Sequence, residues 1–132
     1  GDPDVLTYHA VEPRSLPGAL RASWRWRHLP AVVARHPQMR GNASIGRVFW
    51  KPRHARLTLA VAAAGAAAAG RIPYTLAALL AVPWVSAARP SYGSSWRGRV
   101  RALAELPGAA AIDAFELAAL AVGSAQARTV FL

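Results

Sequence analysis

The sequence predicts a mainly α-helical chain in or on a membrane, with a short extended segment at its N terminus. Three observations predict this class. Hydrophobic residues make up 54% of the 132 residues, Lys and Arg exceed Asp and Glu by 16 to 6, and two long uncharged stretches lie between basic flanks. The length allows one small domain. Because the chain contains no cysteine, disulfide frameworks and thiolate chemistry are excluded.

The first segment, residues 1–17, is predicted to be extended and then to form a loop. Residues 4–8 are rich in β-branched and aromatic side chains, which are typical of a strand. Pro13 and Pro17 then prevent the strand from continuing. We expect His9 to lie where the strand gives way to the loop. Because the chain does not begin with Met and has no secretory leader, we expect it to be a fragment or a processed piece.

The second segment, residues 18–56, is predicted to be a basic interfacial helical segment. Ten basic residues and no acidic residue lie between Arg14 and Arg56. A helix that combines tryptophan and arginine in this way is expected to lie in the headgroup plane of a membrane. Pro30 is expected to break or kink this helix, because it removes a hydrogen bond and clashes with the preceding turn.

The third segment, residues 57–88, is predicted to be a hydrophobic helical hairpin. Residues 57–70 and 72–88 carry no charge, and Gly70 and Pro73 supply the turn chemistry between them. Both stretches are short compared with the roughly 20 apolar residues of a membrane span. A membrane-inserted or re-entrant hairpin is favoured, and a soluble alanine-rich helical pair is the alternative. The basic outer flanks favour placing both ends in the cytoplasm.

The last two segments are a basic loop, residues 89–106, and a C-terminal helix and tail, residues 107–132. The helix is predicted over residues 107–122, and Asp113 and Glu116 lie three apart on one of its faces. Two carboxylates in a cleft could act as an acid and base pair. More commonly they pair with arginines, and we expect partners such as Arg99, Arg101 or the headgroup-facing arginines.

The remaining aromatic and histidine residues are predicted to lie at the membrane interface or the protein surface. Tryptophans near the predicted helix ends are expected to act as interfacial anchors; they are Trp50, Trp84 and Trp96. Three histidines lie beside Pro or Arg at irregular spacing and predict no metal site; they are His28, His36 and His54.

Several stretches together resemble a known enzyme family. "VLTYHAVEPRS", "LRASWRWRHLPAVVARHPQMR" and "FWKPRHARLTLAVAAAG" resemble, in this order, the end of the catalytic domain and the membrane-proximal tail of bacterial family 2 glycosyltransferases. "LPGAAAIDAFELAALAVGSAQARTVFL" resembles the closing helix and tail of actinobacterial members. The resemblance implies the C-terminal remnant of an α/β glycosyltransferase at the cytoplasmic face of the cell membrane. Such an enzyme transfers a sugar from a nucleotide-sugar donor to a lipid-linked or cell-envelope acceptor.

The resemblance also implies roles for three residues. His9 matches a histidine that completes the site of a divalent cation, Mn²⁺ or Mg²⁺, in the family; such an ion neutralises the leaving diphosphate. Arg25 and Trp26 match the last two positions of a Gln-x-x-Arg-Trp motif at the acceptor channel. Ala22 stands in place of the glutamine, which argues against a processive synthase. Arg25 and Trp26 are therefore candidates for acceptor or phosphate binding, with interfacial anchoring as the alternative.

Two other classes of function compete with this interpretation. The first is a small basic membrane protein with a structural or lipid-binding role and no catalysis. The second is a nucleic-acid-binding protein, because uncompensated basic residues among tryptophans can neutralise phosphates and stack bases. The hydrophobic hairpin argues against nucleic acid as a partner. In the glycosyltransferase interpretation, the catalytic residues are expected upstream of these 132 residues.

Overall fold

The computed structural model describes residues 15–42 and 45–132, and it confirms the mainly α-helical class. In chain order the elements are α1 (Leu16–Ser23), a first 3₁₀ segment (Trp24–His28), α2 (Leu29–Arg35), a second 3₁₀ segment (Pro37–Asn42), α3 (Pro52–Ala68), α4 (Tyr74–Ala88), α5 (Trp96–Ala104) and α6 (Leu106–Gln126). Within the described ranges, β structure is limited to one bridge between Ile45 and Phe49. Residues 1–14, which include His9 and the predicted strand, lie outside these ranges.

The N-terminal helices form one continuous arm from α1 to α2. Ser15 begins it, because its Oγ accepts a hydrogen bond from the amide of Gly18 at 3.4 Å. Pro17 lies in the first turn, where its missing N–H group costs nothing. A break was predicted at Pro30. In the structure, the first 3₁₀ segment interrupts the α-helix and ends at His28, and Pro30 lies in the first turn of α2.

The predicted helical hairpin is present as α3 and α4. Gly70 adopts a positive φ of 68° just after α3, a conformation that glycine reaches without strain. Its amide bonds the carbonyl of Ala67 at 2.9 Å. The amide of Arg71 bonds the carbonyl of Ala66 at 2.8 Å, which completes a Schellman motif. Ala67 then packs with Ala77 of α4 in one buried cluster, because small side chains let the two helices approach closely.

Residues 89–106 were predicted to form a basic loop. This prediction is wrong for the second half of the segment, which forms α5. Ser95 caps this helix, since its Oγ accepts a hydrogen bond from the amide of Gly98 at 3.1 Å. Such a cap compensates for one of the unpaired amides of a first helical turn. The arginine-rich composition of the segment therefore does not prevent helix formation.

The predicted C-terminal helix is present as α6 and is longer at its end than expected. The helix was predicted to end at residue 122, but Gly123 lies inside it. A Cβ atom built on Gly123 would lie 1.9 Å from the carbonyl oxygen of Arg27, so the glycine permits close packing rather than termination. Helices α5 and α6 together cover Trp96–Gln126, and this stretch has the length and the apolar composition needed to cross a membrane. By contrast, α4 is apolar but has only 15 residues.

The core is built around α6. Its Leu120 is buried with Val33 of α2 and Phe131 of the C-terminal tail. A second cluster joins Leu57 and Trp84 of the hairpin to other apolar side chains of α6. The hairpin base and the N-terminal arm are thus held on the same helix.

The C-terminal tail is fixed to the loop that precedes α3. The amide of Leu132 bonds the carbonyl of Val48 at 2.7 Å. The guanidinium of Arg40 donates to the carbonyl of Val130 at 2.9 Å and to the hydroxyl of Thr129 at 2.5 Å. Arg40 therefore has a structural role.

Candidate functional site

Arg25 and Trp26 lie together at the start of the first 3₁₀ segment. The guanidinium carbon of Arg25 is 5.7 Å from the centre of the Trp26 ring. The Nζ of Lys51, which is far away in sequence, is 5.2 Å from the same ring. Two cations thus lie within the distance at which a tryptophan ring attracts them.

These residues line a cavity of about 280 Å³, which we name the Trp26 cleft. Its walls are Ala19, Ala22, Ser23, Arg25, Trp26, Lys51 and Glu116. The cleft combines a flat aromatic surface with a guanidinium and an ammonium group, which are the groups that bind a phosphate and a sugar ring.

Glu116 of α6 binds Lys51, one of the two cations of the cleft. Its side chain is 8% exposed, and its Oε2 accepts hydrogen bonds from Lys51 Nζ at 2.6 Å and from His54 Nε2 at 3.0 Å. Its Oε1 lies 3.4 Å from the Ser23 hydroxyl. Burial alone would raise the pKa of the Glu116 carboxyl, but the hydrogen bonds and charges of His54 and Lys51 together lower the pKa to about 2. Glu116 is therefore ionised at neutral pH.

Asp113, one turn earlier on α6, lies in a fully buried position. Its two oxygens accept hydrogen bonds from Nε of Arg53 at 3.0 Å and from a terminal nitrogen of the same guanidinium. Trp84 Nε1 donates to it at 3.1 Å. This bidentate pair links the base of the hairpin to α6.

The predicted partners of the two carboxylates are confirmed only in part: Asp113 binds Arg53, an arginine of the basic segment that was predicted to be interfacial, but neither carboxylate binds Arg99 or Arg101. Asp113 and Glu116 bind residues at the start of α3, whereas Arg101 pairs with Glu105 four residues later at 3.1 Å. The acid and base pair is also not formed as a reactive unit, because both carboxylates are occupied by cations.

Two residues predicted to lie at the surface or interface are buried. His54 is 1% exposed and binds Glu116, and Trp84 is buried with its N–H group bonded to Asp113. The run "KPRH" carries the missed signal. Its Lys51, Arg53 and His54 lie at the start of a helix and can reach two acids spaced three apart on a neighbouring helix.

The same cluster does not fit a metal ion. His54, Asp113 and Glu116 each offer one ligand atom, and these atoms lie within 4.8 Å of one another. However, Lys51 and Arg53 already bind the carboxylate oxygens, and a divalent cation would be repelled by both. We therefore interpret the cluster as a structural ion-pair network. The proposed cation site at His9 lies outside the described residues.

Comparison of this chain with protein-family models, with curated proteins and with solved structures found no match. The fold and the site define a basic helical unit with an apolar hairpin and a cationic aromatic cleft. Any assignment to a family therefore depends on the sequence stretches quoted above.

Proposed function

We propose that this chain is the membrane-associated C-terminal portion of a glycosyltransferase. The enzyme would transfer a sugar from a nucleotide-sugar donor to a lipid-linked or cell-envelope acceptor at the cytoplasmic face of the cell membrane. The observation that carries the membrane part of the proposal is the exposed apolar surface of the hairpin. The sequence resemblance supports the catalytic part.

The hairpin exposes large apolar side chains on both helices. They are Leu59 and Val61 on α3 and Tyr74, Leu76, Leu79 and Val82 on α4. Large apolar side chains that are exposed in this number commonly mark a site of contact with a partner or a membrane. Basic side chains lie near the base of the hairpin, including Arg56 and Arg89, where they would meet anionic headgroups. This arrangement favours lipid as the surrounding medium.

The Trp26 cleft is the proposed contact with the acceptor or with a phosphate of the donor or acceptor. Arg25 and Lys51 would bind phosphate oxygens, and the face of Trp26 would stack on a sugar or lipid group. His9 would complete the site of a divalent cation, Mn²⁺ or Mg²⁺, together with aspartates of an upstream catalytic domain. The catalytic base would belong to that domain.

Binding to neutral vesicles tests the membrane part. Leu79→Glu places a charge on the hairpin at a side chain that is 67% exposed, and Val130→Glu places one on the C-terminal tail at a side chain that is 63% exposed. We expect Leu79→Glu to reduce the vesicle-bound fraction and Val130→Glu to leave it unchanged. Equal effects of both variants, or release of the wild-type chain by salt, would contradict insertion of the hairpin.

The coding frame on the N-terminal side of Gly1 tests the catalytic part. A continuous frame that encodes one further domain with a strand-borne pair of aspartates supports the glycosyltransferase. A stop codon directly before Gly1 contradicts it. The alternative would then be a small basic membrane protein with a structural or lipid-binding role.

A further inference from the structure

A second cavity, of about 500 Å³, lies between the last turn of α4 and the first turns of α5. It shares no residue with the Trp26 cleft. The side chains that give it its polar character are Ser86, Arg89, Ser91, Ser94 and Arg99. We name it the Arg89 cavity. Among the residues described as lining it, none is acidic.

The two arginines of this cavity differ from Lys51 and Arg53 at the hairpin base. Lys51 and Arg53 are paired with the carboxylates of α6. The guanidinium groups of Arg89 and Arg99 make no hydrogen bond or ion pair within residues 15–42 and 45–132. Each described Asp and Glu side chain already binds another cation, so no carboxylate side chain of residues 15–42 and 45–132 compensates the charge of this cavity.

The wall of the cavity is fixed by close packing rather than left as a loose loop. A Cβ atom built on Gly98 would lie 2.3 Å from the carbonyl oxygen of Tyr92, so the loop can lie against α5 only because residue 98 is glycine. The Tyr92 hydroxyl donates to Glu105 at 2.6 Å, and the Arg101 guanidinium carbon lies 4.4 Å from the Tyr92 ring centre. These contacts hold the loop from both sides.

We propose that the Arg89 cavity binds the phosphate group of an anionic lipid headgroup. Guanidinium groups bind phosphate oxygens in a bidentate manner, and serine hydroxyls can donate to the oxygens that remain. The volume lies in the range of small-molecule sites. Arg89 directly follows the last residue of α4, so a hairpin in lipid places this cavity at the depth of the headgroups. The inference therefore rests on the proposed membrane association.

The test compares the full chain with two double variants on vesicles of phosphatidylcholine, with and without a minority of phosphatidic acid. Arg89→Gln with Arg99→Gln removes the cavity guanidiniums. Arg21→Gln with Arg35→Gln removes the same charge from exposed positions on α1 and α2. On anionic vesicles we expect the first variant to lose about tenfold more affinity than the control, the effect of one lost charge-assisted contact. Helicity by circular dichroism checks that both variants fold.

The outcomes separate this inference from the proposed function. Equal losses in both variants would overturn the cavity site and leave only non-specific attraction. Failure of the wild-type chain to bind neutral vesicles would instead contradict the hairpin. Titration with inorganic phosphate distinguishes a soluble ligand. If the cavity variant lost phosphate binding but kept its affinity for anionic vesicles, the lipid assignment would be overturned.

Discussion

Replacing Glu116 by glutamine tests the buried network that joins α3 to α6. The substitution keeps the size of the side chain and removes the charge that Lys51 and His54 share. The carboxyl of Glu116 is only 8% exposed, so solvent screens these interactions less than those of a surface pair. We expect the free energy of unfolding of Glu116→Gln to be lower than that of the wild type near neutral pH.

The pKa of Glu116 gives the magnitude and the pH range. The hydrogen bonds and charges of its partners outweigh the effect of burial and lower its pKa from 4.5 to about 2. At about 1.4 kcal/mol per pKa unit, the ionised carboxylate contributes about 3 kcal/mol to stability at neutral pH. Because the folded-state pKa is the lower one, this contribution is complete above the unfolded pKa. It is lost as the pH falls from 4.5 to about 2, and about 1 kcal/mol remains at about pH 3.

Urea unfolding of both chains at about pH 7 and about pH 3, followed by circular dichroism, measures this contribution. The difference in unfolding free energy between wild type and Glu116→Gln should shrink by about 2 kcal/mol at the lower pH. Comparing the two chains cancels the titration of the groups that do not contact Glu116. Glu105→Gln is the control, because Glu105 forms its ion pair at the exposed surface and should show a much smaller pH-dependent difference. A difference for Glu116→Gln that does not change with pH would refute the argument.

Two further predictions concern packing and the second carboxylate. Gly123→Ala should lower the free energy of unfolding by about 1–3 kcal/mol or more, because the new methyl group would overlap the backbone of Arg27. Gly65→Ala, inside α3 with no atom within 4 Å of the new methyl, should instead raise it by up to about 1 kcal/mol through helix propensity. Trp84→Phe should lower it by about 1–3 kcal/mol, since the N–H group that donates to Asp113 is lost. Urea unfolding measures all three, and a neutral Gly123→Ala would contradict the close approach of α6 to the first 3₁₀ segment.

The parts of the fold that the sequence predicted are those with strong local signals. Two uncharged stretches separated by Gly70 and Pro73 are sufficient to predict a helical hairpin, because turn chemistry and hydrophobicity agree there. The helix α5 was missed because its basic residues were taken as those of a loop. The cap from Ser95 was the local signal that could have predicted it.

The partners of the acidic residues could not be predicted in the same way. Asp113 and Glu116 were assigned to Arg99, Arg101 or the headgroup-facing arginines, without a choice between them. The partners in the structure lie about 60 residues earlier and include a lysine. Helical spacing places the two carboxylates on one face and contains no information about which helix packs on that face. Arg25 and Trp26 were selected as candidates because they resemble part of a motif. Lys51 lines the same cleft, and only the tertiary structure shows this.

The two carboxylates also bear on which helix contacts lipid. Trp96–Gln126 passes a test of length and composition for a membrane span, but Asp113 and Glu116 bind Arg53 and Lys51 at the base of the hairpin. Moving this helix into the hydrocarbon layer would either break these pairs or take four charged groups into lipid, and both are costly. The exposed apolar residues of the hairpin lie farther along its helices than the ion pairs at its base. Most of the hairpin could therefore enter lipid without breaking or burying an ion pair. We infer that α6 serves as the core helix, and that the hairpin provides the surface for lipid.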